Sequence, residues 1–192
     1  MVTKQTAMGR RNWEGADEET LVIAAQAGDL AAFDVLARRY RPAAVTVARQ
    51  TLPREAAEDA AQDSLLSAFK ALPKLGEPGR FPAWLGAIVR HRAARLGQQR
   101  SKEPLPLDEV ILAYAPSIVG WLHEDERSKH VRCAVSELPE EIRTVTELHY
   151  LQEWSAPRIA EFLSTPLTTV KWRLHTARRL LRNRLAALEE IE

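Results

Sequence analysis

Apolar residues recur every three or four positions along most of this chain, and alternation of apolar and polar residues is weak. That spacing is typical of helices that each bury one face. In the first half it predicts four helices, which begin near Asp17, Phe33, Glu55 and Pro82. Pro42 lies inside the second helix and is expected to kink or restart it. The stretch from Pro73 to Gly79 is predicted to be a loop.

The pattern in the last fifth of the chain predicts a short helix, a tight turn and a longer helix. The short helix lies within 154–163, and Pro166 marks the start of the second, where its missing N–H costs nothing. One apolar stripe of the second helix must be its buried side: Val170, Leu174, Ala177, Leu181, Leu185 and Leu188. At about 100° per residue, Trp172, Thr176 and Arg179 are expected to point away from that stripe. This arrangement is a helix-turn-helix.

The second helix of this motif carries an aromatic residue among cations. Arginine and lysine donate hydrogen bonds to guanine edges and phosphates, and an indole or imidazole can lie against a sugar or a thymine methyl. A solvated basic helix is the alternative for a charge run alone, but the preceding helix and turn favour DNA. The candidate DNA-binding residues are Lys171, Trp172, Arg173, His175, Arg178 and Arg179.

Composition supports an all-α protein made of two small helical domains. The chain has 192 residues, only 8 of them glycine, and a formal net charge of +1. Basic residues without acids fill the stretches 80–102 and 171–184, and the segment between them is mostly acidic, with six acids from Glu103 to Glu126. We therefore expect a flexible extension (1–16), a first domain (17–102), an acidic linker (103–130) and a helix-turn-helix domain (131–192).

Other classes of protein are disfavoured. Cys133 is the only cysteine, so an intrachain disulfide is excluded, and the five histidines lack the spacing of a metal site. Nothing resembles a nucleophile, base and oxyanion arrangement, so we expect neither an enzyme nor a cofactor. No apolar stretch reaches transmembrane length and no signal sequence is evident, which predicts a cytoplasmic protein without membrane insertion.

Four motifs, in this order, resemble those of bacterial extracytoplasmic-function (ECF) sigma factors of the sigma-70 family. They are Gly28-Asp29-Leu30-Ala31-Ala32-Phe33, Ala57-Glu58-Asp59-Ala60-Ala61-Gln62-Asp63, Phe81-Pro82-Ala83-Trp84-Leu85-Gly86-Ala87-Ile88-Val89-Arg90-His91, and Leu138-Pro139-Glu140-Glu141-Ile142-Arg143 with the helix-turn-helix after it. The resemblance covers nearly everything from Asp17 to Leu188. It implies a factor that binds core RNA polymerase and directs promoter recognition, melting and transcription initiation.

The resemblance also implies roles for individual residues. The third helix would dock on core polymerase through Glu58, Asp59, Gln62 and Asp63, while Leu65, Leu66 and Phe69 are expected in the core. The loop from Pro73 to Arg80 and the helix after it would hold the opened minus-ten strand through Arg80, Arg90, His91 and Arg95. The helix-turn-helix would read the minus-thirty-five element with the residues named above.

Several positions depart from the family's pattern. Gly86 stands where an aromatic residue is usual, and Arg158 replaces the customary glutamate before Ile159-Ala160. The apolar clusters of the linker would thread through polymerase, pack the two domains together or bind an anti-sigma protein, which is an expected partner. Two alternatives stay open: a stand-alone helix-turn-helix regulator, and a sigma mimic that sequesters an anti-sigma factor.

Overall fold

The structure is a computed structural model that describes residues 13–101 and 126–189. Side chains are described for residues 13–101 and 130–185. Every regular element in these ranges is helical. The helices are α1 (Glu18–Gln26), α2 (Leu30–Ala48), α3 (Arg54–Ala71), α4 (Phe81–Arg100), α5 (Glu126–Ser136), α6 (Glu140–Thr146), α7 (Ala156–Leu163) and α8 (Leu167–Glu189). The all-α, two-domain fold is thus confirmed. Residues 1–12 of the expected extension, residue 102, residues 103–125 of the expected linker and residues 190–192 lie outside the described ranges.

Short polar residues and a glycine set the ends of the first two helices. Asp17 caps α1 by accepting from the N–H of Thr20, and Asp29 caps α2 by accepting from Ala31 and Ala32. Gly28 between them has φ +94°, a left-handed conformation that favours glycine. These caps explain why the chain can turn sharply from α1 into α2.

The four helices of the first domain match the predicted ones, with one difference. Helix α2 runs through Pro42 without a break, so the predicted restart is wrong. Two 3₁₀ turns, Leu72–Lys74 and Pro78–Arg80, frame the predicted loop between α3 and α4. The side-chain amide of Gln26 holds that loop by donating to the carbonyls of Leu72 (3.1 Å) and Leu75 (2.7 Å).

The second domain places its helix-turn-helix after a π-helical turn, Glu147–Leu151. Ser155 caps α7 by accepting from the N–H of Arg158. Ser164 then ends α7 with φ 49°, the left-handed conformation that closes many helices, and α8 follows within three residues. Helix α8 packs against α5, α6 and α7, which together form the core of this domain.

The two domains share one hydrophobic core. The rings of Tyr40 and Phe81 from the first domain pack with those of Trp154 and Phe162 from the second, at centroid distances of 5.2 Å (Tyr40–Phe81), 5.3 Å (Tyr40–Trp154) and 5.1 Å (Trp154–Phe162). All four side chains are buried, and α7 lies along α4. Edge-on contacts of this kind add to the free energy of aromatic burial.

No helix in the described part of the chain is long and apolar enough to cross a membrane.

Leu36 tests the core of the first domain, because its side chain is fully buried in α2. We expect Leu36→Ala to lower the free energy of unfolding by about 2–5 kcal/mol, since it removes buried methyl groups and leaves a cavity. Leu30→Ala is the matched control, because Leu30 begins the same helix and is 67% exposed. It should change stability by no more than about 0.5 kcal/mol in urea unfolding followed by circular dichroism. Equal losses would contradict this packing.

Candidate nucleic-acid interface

Helix α8 presents most of the predicted DNA-binding residues on one exposed arc. Lys171, Trp172, His175, Arg178 and Arg179 are all exposed, and Trp172 keeps 60% of its surface. At about 100° per residue these five side chains span about 120° of the helix. The arc therefore combines three cations, an imidazole and an indole on a surface that can lie in a groove of duplex DNA.

Two residues of α8 lie on a different face. Thr176 is 8% exposed, so the prediction that it points outward is wrong. The Arg173 side chain is 16% exposed and pairs with the Glu141 carboxylate of α6. The reason is that α5, α6 and α7 all pack on α8 and cover more than one stripe. The prediction that Arg173 reads DNA stays a prediction, and it requires the side chain to leave Glu141.

Ion pairs draw carboxylates to the edge of α8 away from the exposed arc. Arg173 pairs with Glu141, and Arg184, eleven residues later on the same edge, pairs with Glu137. These contacts neutralise that edge and leave the cations of the arc facing solvent. The net field of the arc is positive, which attracts phosphates at low salt.

The candidate strand-binding residues of the first domain fall into two groups. Arg80, His91 and Arg95 are exposed, and the last two lie one turn apart on the outer face of α4. Arg80 also pairs with Glu77 at 3.9 Å, and both side chains are more than two-thirds exposed, so this pair is weak. These three residues can meet a nucleic acid without rearrangement.

Arg90 is engaged within the protein. Its Nη1 donates to the carbonyl of Phe162 and its Nη2 to the Ser164 hydroxyl (2.7 Å), both in the second domain. Burial lowers the pKa of the Arg90 guanidinium below its usual value. The structure therefore separates Arg90 from Arg80, His91 and Arg95, and its role in strand binding stays a prediction.

The candidate polymerase-binding residues line α3. Asp59, Gln62 and Asp63 are exposed, and Glu58 is half-buried. Glu58 pairs with Arg41 at 3.0 Å and Asp63 pairs with Arg92 of α4, so two of the four also hold α3 to neighbouring helices. A cationic partner would have to compete with those two ion pairs.

Leu66 is a candidate contact that the sequence analysis missed. It was expected in the core, but its side chain is 51% exposed, so that expectation is wrong. The buried stripe of α3 runs through Ala61, Leu65 and Ala68, and one helical step rotates Leu66 away from it. Leu66 lies on the same face as Asp59 and Gln62, and adds an apolar side chain to that surface. A helical wheel with the buried stripe centred on Ala61 would have placed Leu66 on the exposed side of α3.

No group of three or more His, Cys, Asp or Glu side chains that could hold a metal ion occurs in the part of the chain that the structure describes.

Glu147, at the junction of the two domains, has a carboxyl group whose pKa is shifted. Burial raises its pKa, and Arg49 and Arg143 oppose that shift.

Comparison with protein families gives two matches in chain order. Residues 36–103 match the model described as sigma-70 region 2, and residues 129–181 match the one described as sigma-70, region 4. The first span includes α3 and α4 with their candidate residues, and the second includes the helix-turn-helix. The two matches define a sigma-70 class of protein.

Curated relatives match between 69% and 91% of this chain. The ECF RNA polymerase sigma factor SigW of Bacillus subtilis is 32% identical over 145 residues, which are 69% of this chain and 76% of SigW. The ECF RNA polymerase sigma-E factor of Haemophilus influenzae is 24% identical over 91% of this chain and 98% of that protein. This chain therefore belongs to the ECF sigma factors of the sigma-70 family.

Solved structures share the fold. The structure of CnrH in complex with the cytosolic domain of CnrY covers 88% of this chain and 97% of that chain, with 24% identity and a TM-score of 0.58. RpoE of Bartonella quintana, solved with the anti-sigma factor NepR, covers 87% of this chain and 92% of that chain, with 18% identity and a TM-score of 0.52.

Two arginines of α8 test the difference between its faces. We expect Arg173→Ala to lower the free energy of unfolding by about 1 kcal/mol, because it removes packed methylenes and the pair with Glu141. Arg179→Ala is the matched change on the exposed arc and should stay within about 0.5 kcal/mol. Urea unfolding measures both, and a larger loss for Arg179→Ala would contradict the assignment of the faces.

Proposed function

We propose that this protein binds core RNA polymerase and directs it to promoters, where α8 reads the minus-thirty-five duplex and α4 holds the opened minus-ten strand. The observation that carries the proposal is that two separate exposed surfaces occur in the order along the chain that the family implies. One is the exposed arc of α8 around Trp172 and Arg179, and the other is the outer face of α4 with His91 and Arg95. The names of the curated relatives support it.

The exposed face of α3 supplies the proposed contact with polymerase. Asp59 and Gln62 offer acceptors and Leu66 offers an apolar anchor, so a basic surface with an apolar pocket would complement it. Glu58 and Asp63 would add to this contact by exchanging Arg41 and Arg92 for cations of the partner.

The remaining parts of the proposal concern partners and location. The factor acts in the cytoplasm with polymerase, performs no chemistry of its own and needs no cofactor. An anti-sigma protein is its proposed regulator, because RpoE of Bartonella quintana, with the same fold, was solved with the anti-sigma factor NepR. The domain boundaries at residues 16, 102 and 130 also stay proposals.

Transcription with purified components tests the proposed function. Sequencing the transcripts induced by overexpression would supply candidate promoters, and the protein should then direct core polymerase to start at the same positions in vitro. A stand-alone regulator would instead bind duplex DNA tightly without polymerase, at a palindromic site. A sigma mimic would bind an anti-sigma protein and give no transcript. Absence of promoter-dependent transcripts with every suitable core enzyme would reject the proposal.

Trp172 tests how the upstream element is read. We expect Trp172→Ala to weaken binding of the polymerase complex to an intact minus-thirty-five element by about 1–3 kcal/mol, because one base contact is lost. It should have little effect on a scrambled element. Tyr150→Ala is the matched control, since Tyr150 is an exposed aromatic residue (49%) outside α8. Quantitative footprinting measures both variants, and an equal loss on scrambled DNA would make Trp172 a backbone contact.

A further inference from the structure

An ion pair joins the two surfaces that the proposed function assigns to α3 and α4. The Arg92 guanidinium of α4 donates through Nη2 to the Asp63 carboxylate of α3. Asp63 is a candidate polymerase contact, and Arg92 directly follows His91, a candidate strand contact. The pair therefore links a proposed polymerase contact to the helix that is proposed to hold the opened strand.

The pair leaves part of the Arg92 guanidinium unused. Its Nε is buried and has no hydrogen-bond partner within the part of the chain that the structure describes. A buried donor without an acceptor costs free energy, so a partner that satisfies more than one donor of the guanidinium would be favoured. A phosphate is such a partner, because two of its oxygens can accept from Nε and a terminal nitrogen of arginine at once.

Arg92 lies at the edge of the exposed face of α4. At about 100° per residue, its direction differs by about 60° from that of Arg95 and by about 20° from that of Gln99, and both of these residues are exposed. Residues three apart on a helix have Cβ atoms about 5–6 Å from each other. An Arg92 side chain that leaves Asp63 can therefore reach a strand that Arg95 contacts.

The two side chains of this pair are open enough to exchange partners. The Arg92 side chain is 35% exposed and the Asp63 side chain is 51% exposed. Water and salt weaken ion pairs at such exposure, so a cationic protein surface can compete for Asp63. Arg41 and Glu58 form a similar pair between α2 and α3, but Arg41 is not part of α4.

We propose that Arg92 is a further nucleic-acid contact of α4, which Asp63 holds until core polymerase takes over the carboxylate. This inference rests on the proposed function. Polymerase and nucleic acid compete with the same ion pair, so the first to bind breaks it and the second binds without that cost. By linkage, each then raises the affinity for the other by the same factor. The exchange involves only residues of the first domain.

The full-length protein without polymerase tests whether Asp63 keeps Arg92 from nucleic acid. The probe is a fluorescent single-stranded DNA of mixed sequence, and anisotropy measures its affinity at several salt concentrations. Asp63→Asn should tighten binding about fivefold, as in a typical coupling between sites, and should steepen the salt dependence by one phosphate contact. In the Arg92→Gln background the same change should give no such gain. Equal gains in both backgrounds would overturn the role of Arg92.

Asp34→Asn is the matched control for the lost charge. Asp34 pairs with Arg38 at 3.3 Å on α2, and Arg38 keeps its pair with Glu14. A gain as large as that of Asp63→Asn would show that net charge alone explains the result and would overturn the proposal. Arg92→Lys keeps the charge but loses the fork of donors, so in the Asp63→Asn background it should retain only part of the gain. Urea unfolding checks that each variant is folded, and Arg92→Lys replaces Arg92→Gln if the latter is unstable.

Complexes with core polymerase test the exchange itself. Arg92→Gln and Arg41→Gln each free a carboxylate of α3, so neither should weaken binding to core polymerase. Only Arg92→Gln should weaken binding of the assembled complex to a promoter whose minus-ten region is unpaired, by about fivefold. Equal losses for the two variants would overturn the exchange. Absence of polymerase binding by the wild-type protein would reject the proposed function and the exchange with it, while the measurements without polymerase would still decide whether Arg92 contacts nucleic acid.

Discussion

The close approach of α7 to α4 is the constraint on which the arrangement of this protein depends. Gly86 lets the backbone of Phe162 reach α4, and the buried rings of Tyr40, Phe81, Trp154 and Phe162 can then meet in one cluster. Without that approach the two domains would bury only their own small cores, and small cores are marginally stable. The shared cluster therefore ties the stability of each domain to the presence of the other.

The same interface contains polar side chains whose hydrogen-bond partners depend on whether the two domains are packed together. In the packed arrangement Arg90 and Arg158 have partners on the opposite domain, and Gln50 and Gln152 bond to Thr144 and Thr46 across it. Each of these contacts adds about 0.5–1.5 kcal/mol net, because the same groups would otherwise bond to water. The aromatic cluster supplies most of the attraction, and the polar contacts set the geometry in which it forms.

Much of the fold could be predicted from the periodicity of apolar residues, because each helix here buries one main stripe. The sequence shows which stripe is buried, but not how many neighbours cover a helix. Thr176 is buried because three helices pack on α8, and Leu66 is exposed because it lies on the opposite side of α3 from the buried stripe. Gly86 and Arg158 could be recognised as unusual, but their meaning depends on a contact between segments more than 70 residues apart. Local patterns carry no signal for such a contact.

The candidate surfaces differ in how accessible their residues are to a nucleic acid. On α8, Trp172 and Arg179 face solvent, whereas Arg173 and Arg184 on another edge pair with Glu141 of α6 and with Glu137 just after α5. The proposed duplex-reading arc is therefore exposed where the two domains pack together, apart from Arg173, which pairs with Glu141. On the proposed strand-reading surface of α4, His91 and Arg95 are exposed, whereas Arg90 is bound to the C-terminal end of α7. Arg90 would have to leave Phe162 and Ser164 before its guanidinium could contact a nucleic acid.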